Sequence, residues 1–344
     1  VAAFDKLEFR PRILRNVSGI DTSTTLLGRP LAFPLVLAPT GFTRVAHSQG
    51  ELAVARAAAR AQLPFTLSTL GTRSIEEVAE VSNGRKWFQV YVWRDRGLTQ
   101  EMLDRAAAND YEAIMITVDT AVLGRRERDI RNGFTLPPKI GIDTIFSGLT
   151  HPGWTWDFLR GGPIRFANVG GDPEGGEKDP IYLADYINSQ FDPSLSWDDV
   201  EWFQSHWKGP IILKGIQTVE DAQLAAKAGV QAIALSNHGG RQLDHAPAIA
   251  ELVAPVADAV GDRVEILCDG GIRRGSDIVK ALALGARACM TGRAYLYSLA
   301  AGGERGVDHV LAHLRDGFEQ TLALTGNKRV PDLTRDLVRW RNAD

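Results

Sequence analysis

Short apolar runs alternate with longer amphipathic stretches along most of the chain. The runs have the length of buried strands, and the stretches between them repeat apolar residues at helical spacing. Eight runs are predicted as strands, at residues 35–38, 65–67, 87–92, 113–118, 211–213, 232–235, 265–268 and 288–291. Helices are predicted between them, for example over 51–61, 218–228 and 276–284, with Thr218 and Ser276 near the N-caps of the last two. Parallel strands joined by crossover helices predict an α/β fold, a (β/α)8 TIM barrel.

The composition is that of a globular enzyme with a large core. The chain has 344 residues, of which 44% are hydrophobic and 24% charged. This length suits one (β/α)8 barrel with an insertion, so we expect a single domain over residues 1–344. The formal net charge of −3 gives no electrostatic signature of nucleic-acid binding.

Cys268 and Cys289 are the only cysteines, and each lies in an apolar run. We therefore expect two buried core residues in a reducing compartment. No CxxC pair or Cys/His cluster accompanies them, so no metal site is predicted. The sequence has neither a secretory signal nor an apolar run of about 18 residues, which predicts a cytoplasmic protein without a membrane span.

Residues 141–194 form a long excursion after the fourth predicted strand. The segment contains an aromatic cluster, Trp154, Trp156 and Phe158, followed by a glycine-rich and charged tract at 169–179. Loops of this length are usually functional or disordered. Three alternatives remain open for the cluster: an interfacial membrane anchor, a lid over the substrate, or a packing patch between subunits.

The segment 236–244 places a base and a guanidinium together directly after the sixth predicted strand. His238 is suited to accept a proton near neutral pH, and Arg241 is suited to grip a carboxylate with two parallel hydrogen bonds. Other candidates follow the ends of the other strands, where barrel enzymes build their active sites. They are Pro39, Thr40, Gly41, Ser68, Gln89, Tyr91, Asp119, Arg126, Lys214, Asp269, Gly271, Arg273, Gly292 and Arg293.

The last two strand ends have the features of a phosphate site. Glycine-rich turns before helices present free backbone N–H groups, and barrels often bind phosphate after strands seven and eight. Arg293 adds a fixed charge there, and Arg273 is a second candidate. No Walker motif occurs, and no G-x-G-x-x-G follows the first strand, which argues against a nucleoside triphosphate or a Rossmann-type dinucleotide.

Lys214 ends a predicted buried strand, so its ammonium should meet an anion or a polarised carbonyl. A Schiff-base lysine of the kind found in barrel aldolases is the alternative.

Ordered blocks along the chain resemble the flavin mononucleotide-dependent L-2-hydroxy acid dehydrogenases and oxidases. Besides 236–244, the blocks are residues 38–41, 67–70, 87–91, 117–120, 124–126, 213–216, 269–275 and 291–294. The resemblance runs from about Phe9 to about Leu337. Within the family, blocks 84–89 and 191–195 look most like those of bacterial L-lactate dehydrogenases.

The resemblance implies FMN as the cofactor and assigns a role to each block. Pro39, Thr40 and Gly41 pack against the flavin, and Lys214 supports its N1 and C2 carbonyl edge, where negative charge gathers on reduction. The remaining cofactor residues are Ser68, Gln89, Thr117, Ser236, Asp269, Gly271, Arg273, Gly292 and Arg293, with Gln89, Thr117 and Ser236 expected to hydrogen-bond the ring.

The same resemblance implies the catalytic and substrate-binding roles. Asp119 pairs with the base His238 and stabilises its protonated form. Arg126 and Arg241 bind the substrate carboxylate, and Tyr91 binds the hydroxyl or the developing carbonyl oxygen.

The implied activity is oxidation of an L-2-hydroxy acid, L-lactate in the leading case, with a quinone or another carrier as acceptor. An oxidase that makes hydrogen peroxide is the first alternative; a peptide-modifying flavoprotein and a barrel without chemistry are the others. Gly41 stands where many oxidases of the family carry alanine, a hint toward a dehydrogenase.

The resemblance also bears on what surrounds the barrel. In the family the position of 141–194 is a variable lid, and in membrane-associated members it helps to dock to the bilayer. The resemblance therefore adds peripheral contact with the inner face of a membrane to the expected cytoplasmic location. We expect a homotetramer. Since the sequence starts at Val1 without a methionine, we also expect a preceding segment, which in the family carries a tyrosine that contacts the substrate carboxylate.

Overall fold

The computed structural model describes residues 1–132, 146, 148–169 and 189–341. Within these residues, eight parallel strands form one closed barrel in chain order, and the last strand pairs with the first. The strands are β1 (Leu35–Leu37), β2 (Phe65–Ser68), β3 (Lys86–Tyr91), β4 (Ala113–Thr117), β5 (Ile211–Ile216), β6 (Ala232–Ser236), β7 (Glu265–Asp269) and β8 (Ala288–Thr291). The predicted (β/α)8 TIM barrel is confirmed.

Helices cover the outside of the barrel. Those described are Ala2–Asp5, Thr43–Ala46, Gly50–Arg60, Ile75–Val81, Arg96–Ala108, Glu127–Arg131, Pro152–Arg160, Asp198–His206, Val219–Lys227, Ile249–Val260, Gly275–Ala283 and Arg293–Thr325. Two two-stranded antiparallel sheets flank the barrel. Strand Leu7–Phe9 pairs with Val338–Trp340, and Thr24–Leu26 forms a hairpin with Arg29–Leu31. Leu26 and Leu31 of this hairpin pack into the barrel's amino-terminal end and close it.

The predicted strand ends differ from the observed ones by at most three residues. The largest difference is in β5, because Lys214 does not end that strand as predicted. The chain continues to Ile216 through a bulge, marked by a register shift between Lys214 and Ile216. Gly215 lies in this bulge at φ 111°, and a Cβ on it would lie 2.7 Å from the Cβ of Asp119, so glycine lets Asp119 approach the strand.

The two predicted N-caps differ in outcome. Thr218 caps its helix, since its side chain accepts a hydrogen bond from the backbone N–H of Asp221. Ser276 lies inside the first turn of helix Gly275–Ala283, whose N-cap is Arg274. The carboxylate of Asp277 accepts from the backbone N–H groups of Arg273 and Arg274, both at 2.9 Å, and does the capping instead.

The core has two layers. Strand residues that alternate in sequence point to opposite faces, so one set fills the barrel and the other packs under the helices. The inner layer is built largely from small or unbranched side chains, among them Ala113, Met115, Ala232, Ala234 and Met290. Cys268 and Cys289 lie buried in the outer layer as free thiols, which confirms the prediction of core residues.

The predicted insertion at 141–194 lies partly outside the described residues, and its role stays a prediction. Its described helix, Pro152–Arg160, has no buried residue. Asp157 holds this helix to the barrel by accepting hydrogen bonds from the backbone N–H and the hydroxyl of Ser48 at 2.7 and 2.5 Å. No helix in the described ranges is long and apolar enough to cross a bilayer.

Candidate active site

The inner face of the barrel changes from apolar to polar toward the carboxyl ends of the strands. Because side chains alternate, the positions that follow the inner apolar layer also point inward. We call these residues the polar ring: Ser68, Gln89, Tyr91, Thr117, Lys214, Ser236 and Asp269. The strand register places them at similar heights, with Ser68 beside Gln89, Thr117 beside both Tyr91 and Lys214, and Ser236 beside Asp269.

One side of the polar ring is a hydrogen-bonded row of neutral groups. The hydroxyl of Ser68 donates to Oε1 of Gln89 at 3.0 Å, and Nε2 of Gln89 donates to Oγ1 of Thr117 at 2.9 Å. All three side chains are buried. The row fixes the orientation of the Gln89 amide, so its donor and acceptor edges are preorganised.

The other side of the ring is charged. Nζ of Lys214 donates to Oγ of Ser236 at 3.3 Å and lies 3.5 Å from Oδ2 of Asp269. The Ser236 hydroxyl donates to the same Asp269 oxygen at 2.7 Å. The side chain of Lys214 therefore lies inside the ring between a hydroxyl and a carboxylate.

His238 and Asp119 form a pair in the loops above the ring. Nδ1 of His238 lies 3.0 and 3.2 Å from the two Asp119 oxygens. A carboxylate only accepts, so Nδ1 carries the proton and Nε2 is left with its lone pair. The backbone of His238 has φ 56°, in the left-handed region, and its N–H donates to Oγ of Ser236 at 3.1 Å. The turn thus holds the imidazole over the polar ring.

The surroundings lower the pKa values of both His238 and Asp119, which favours a neutral imidazole and a charged carboxylate. Burial, together with the charge of Lys214, lowers the pKa of His238 below its ordinary value, although Asp119 acts in the opposite direction. Burial alone would raise the pKa of Asp119, but the hydrogen bond from His238 and the charge of Lys214 outweigh it and lower the pKa. At neutral pH, Nε2 is therefore available to accept a proton.

Gln242 joins the loop that carries Asp119 to the loop that carries His238. Its Nε2 donates to the backbone carbonyls of Asp119 and Val122 at 2.9 and 3.0 Å, and its Oε1 accepts from the N–H of Gly124 at 2.9 Å. The loops pack so closely that a Cβ on Gly124 would lie 2.5 Å from the Arg241 carbonyl oxygen. Sequence reasoning gave Gln242 no role, since its partners are backbone groups more than a hundred residues away.

The candidate substrate-binding side chains lie together beside this pair. Burial, then the charge of Asp119, raises the pKa of Tyr91 to about 12, so its hydroxyl stays a donor, while Arg126 and Arg241 act in the opposite direction. Arg126 has a buried Nε with no hydrogen-bond partner among the described residues. Arg241 donates from Nη2 to Oδ2 of Asp129 at 3.0 Å, a contact that sequence reasoning missed.

The candidate phosphate residues also lie close together. Burial, then the nearby charge of Arg293, lowers the pKa of Arg273, so the two guanidinium groups face one region. Neither forms an ion pair with a carboxylate in the described chain; Arg293 donates only to the Gly239 carbonyl, at 2.9 Å. A Cβ on Gly292 would meet nothing nearer than 3.6 Å, which leaves space beside the backbone. Two unpaired cations beside open backbone fit a phosphate group.

The predicted 39–41 segment follows β1, and the predicted glycine Gly271 follows β7. Gly271 lies against the start of the chain, where an added Cβ would be 2.7 Å from the backbone nitrogen of Val1. Pro39 and Thr40 are half-buried and Gly41 is exposed. The Thr40 hydroxyl bonds to the hydroxyl of Tyr295 at 2.6 Å, which in turn donates to the Ala38 carbonyl. Tyr295 therefore anchors the segment after β1, which no sequence pattern indicated.

The barrel combines a histidine–aspartate pair, two neighbouring arginines and open backbone beside two further arginines. Residues 1–340 match the FMN-dependent dehydrogenase family, and the chain is a member of it. It is an enzyme of the FMN-dependent 2-hydroxy acid oxidoreductases.

Named relatives cover most of the chain. The L-lactate oxidase of a Nostoc species is 44% identical over 338 residues, 96% of this chain and 86% of the relative. The L-lactate dehydrogenase of Stenotrophomonas maltophilia is 43% identical over 343 residues, 98% of this chain and 88% of the relative. The crystal structure of the monotopic membrane protein (S)-mandelate dehydrogenase superposes with a TM-score of 0.93 at 38% identity, covering 98% of this chain and 89% of that one.

Proposed function

We propose that this enzyme oxidises an L-2-hydroxy monocarboxylate, with L-lactate as the leading substrate, to the 2-keto acid and uses a quinone as the final electron acceptor. The observation that supports the proposal is the His238–Asp119 pair. Nδ1 of His238 lies 3.0 Å from Asp119, Nε2 has no hydrogen-bond partner among the described residues, and Tyr91 lies close to Asp119 and to both arginines. A base next to a carboxylate-binding pair is suited to an acid that bears its reacting hydroxyl on the adjacent carbon.

The described residues fit FMN, which when bound accepts the two electrons of the substrate. Arg273 and Arg293, with the backbone near Gly292, would hold its single phosphate. Gln89, Thr117 and Ser236 would meet the polar atoms of its ring, and the cation of Lys214 would stabilise negative charge that gathers there. Ser68 and Asp269 would act through Gln89 and Ser236, to which they are hydrogen-bonded.

The substrate would be held by its carboxylate. Arg126 and Arg241 each offer planar donors suited to two parallel hydrogen bonds, and the Tyr91 hydroxyl would donate to the substrate oxygen. Nε2 of His238 would then take a proton from the substrate, and the carboxylate of Asp119 would stabilise the imidazolium that forms.

A quinone acceptor is supported by an exposed apolar helix next to the barrel. Trp156 and Leu159 of helix Pro152–Arg160 are 63% and 69% exposed, and Trp154 stacks on Phe158 with ring centroids 5.1 Å apart. An exposed aromatic and aliphatic face of this kind suits the bilayer interface, where quinones dissolve. We therefore propose peripheral membrane contact through this helix. Gly41 also supports a dehydrogenase, because many oxidases of the family carry alanine at this position.

The decisive experiment is anaerobic mixing of the flavin-loaded enzyme with L-lactate, glycolate and (S)-mandelate, followed by air or a soluble quinone. We expect L-lactate to bleach the flavin fastest and the quinone to restore its colour faster than air. Rapid recovery in air with stoichiometric hydrogen peroxide would instead identify an oxidase, and no bleaching by any 2-hydroxy acid would refute the proposed function.

The cofactor site has its own test. The protein should release FMN and no FAD on denaturation, because the cradle offers one phosphate site. Arg293→Ala should weaken FMN retention, measured by fluorescence during dilution or dialysis, whereas Arg287→Ala, at the opposite end of β8, serves as the control.

The membrane proposal is tested with vesicles of mixed neutral and anionic phospholipid. The double variant Trp156→Ser, Leu159→Ser should lose vesicle association and quinone turnover in vesicles while its flavin is still bleached by substrate at the parent rate. Leu324→Ser is the matched control, since Leu324 is equally exposed, at 70%, on another helix. Equal loss of flavin bleaching would indicate a lid instead.

A further inference from the structure

Arg241 already has a carboxylate partner within the protein. Its Nη2 lies 3.0 Å from Oδ2 of Asp129, which belongs to the short helix Glu127–Arg131 that directly follows Arg126. The two residues are 112 positions apart in sequence, so the contact joins the loop after β4 to the loop after β6. The proposed carboxylate site therefore consists of two guanidinium groups and one carboxylate.

This ion pair differs from its neighbour on the same helix. Glu127 pairs with Arg131 one turn away, and both side chains are mostly exposed, at 58% and 76%. Asp129 is less exposed, at 28%, and contacts Arg241, which is 46% exposed. Its charge also acts on Arg126, where it opposes the lowering of the pKa by burial and by Arg241. Asp129 is thus electrostatically part of the arginine pair, whereas Glu127 is a surface charge.

The contact with Asp129 uses only one of the five N–H donors of the Arg241 guanidinium. One oxygen of Asp129 takes one Nη2 donor, so the other donors of the guanidinium remain for a ligand. Among the described residues, Asp119 also acts on this region, since its charge raises the pKa of the neighbouring Tyr91; it is turned toward His238 and 4% exposed. With Asp129 present, the charge that Arg126 and Arg241 offer a substrate is +1; without it, the charge would be +2.

We propose that Asp129 is a specificity determinant that matches the site to a monocarboxylate and disfavours 2-hydroxy dicarboxylates. Its carboxylate offsets the charge of one of the two arginines, so a second substrate carboxylate would be attracted less strongly. The inference rests on the proposed function, because it concerns how that substrate is selected.

The test compares L-lactate with L-malate, its dicarboxylate counterpart, in anaerobic stopped-flow bleaching of the flavin. Asp129→Asn keeps an oxygen that accepts from Arg241 but removes the charge. The ratio of second-order rate constants, L-malate over L-lactate, should rise on the order of tenfold, as expected when one unit charge about 6 Å from a ligand charge is removed at an effective dielectric constant of about 40. The readout is this ratio and not the rate with either acid alone, because Asp129 also contacts Arg241 and its replacement can change both rates.

Two controls separate charge from structure. Asp129→Glu keeps the charge and should leave the ratio near that of the parent, and Glu127→Gln removes one charge from the same helix without facing Arg241. An equilibrium measurement without turnover accompanies them: the dissociation constant of oxalate, a dianion, should fall about tenfold relative to that of pyruvate in Asp129→Asn alone. Should this variant lose its flavin, Asp129→Ser replaces it.

The outcomes are distinguishable. Parent enzyme that no L-2-hydroxy acid bleaches refutes the proposed function and this inference with it. Parent enzyme that L-lactate bleaches, combined with an unchanged ratio and unchanged oxalate binding in Asp129→Asn, overturns the inference alone. A ratio that moves equally in Asp129→Asn and Asp129→Glu would assign Asp129 to loop structure rather than to charge selection.

Discussion

The candidate active site consists of two regions whose side chains are positioned by different kinds of contact. The polar ring lies on strands, and most of its members are buried and hydrogen-bonded to residues of the adjacent strand, as Ser68, Gln89 and Thr117 are. His238, Arg241 and Arg126 lie on loops, with Arg241 46% exposed and His238 in a left-handed turn. The strand register fixes the relative positions of the ring side chains, whereas the loop side chains are positioned by specific hydrogen bonds and ion pairs.

Those loop contacts are few and come from residues outside the chemistry. Gln242 makes three hydrogen bonds between the loops, Gly124 permits their close approach, and Asp129 holds Arg241. A substitution in the neutral hydrogen-bonded row of Ser68, Gln89 and Thr117 should therefore act mainly on stability and flavin retention, and one in the loops mainly on turnover. The following predictions test this division, from the largest expected effect to the smallest.

His238→Gln should slow anaerobic flavin reduction by about 10²- to 10⁴-fold, the usual contribution of a general base. FMN should stay bound, because the polar ring does not depend on the imidazole. Stopped-flow bleaching gives the rate, and the absorbance spectrum gives the bound flavin. Reduction at nearly the parent rate would show that His238 is not the base.

Asp119→Asn should slow flavin reduction by about 10- to 100-fold, because the amide does not stabilise an imidazolium as a carboxylate does. The pH profile supplies a second readout. Only neutral His238 accepts a proton, so the rate rises with pH through the pKa of His238, which burial places below its ordinary value. Since the Asp119 charge raises that pKa, its removal should move the acidic limb to still lower pH. A limb that moves upward would contradict the assignment.

Gln242→Leu should lower kcat/KM about tenfold by loosening the loop that carries Asp119 and Arg126, with one to three hydrogen bonds lost at roughly 1 kcal/mol each. FMN content should be unchanged. Gln204→Leu is the matched control: its amide donates to a backbone carbonyl, that of Ala228, at 2.7 Å, but far from the site. Steady-state kinetics of both variants measure this effect. Equally small effects of the two substitutions would show that Gln242 does not position the loops.

Thr117→Val should cost about 1 kcal/mol of unfolding free energy and reduce turnover only a few-fold, because it removes the acceptor for Nε2 of Gln89. Thr66→Val is the control, since the Thr66 hydroxyl is buried with no partner among the described residues. That replacement should be neutral or stabilising. Denaturant unfolding of the flavin-loaded proteins measures both. A large loss of turnover without loss of stability would overturn the division between the two regions.

Part of the site was predictable because it follows strand periodicity. Apolar runs locate the strands. Because side chains alternate along a strand, Gln89, Thr117 and Ser236 then point into the barrel at the carboxyl ends, independently of the loop conformations. Lys214 was misplaced at a strand end only because the bulge at Gly215 interrupts that periodicity. His238, Arg126 and Arg241 were also identifiable from the sequence, because they are polar residues that closely follow apolar runs.

The sequence by itself thus determined the barrel, the inward polar positions and the types of side chain available for chemistry, because these depend on local periodicity and on residue identity. Only the tertiary structure decided that Asp129 faces Arg241, that Gln242 joins the two loops and that Tyr295 anchors the segment after β1. These contacts join residues separated by more than a hundred positions and often end on backbone atoms. No pattern of side chains along the chain records such partners; the closure of the barrel brings them together.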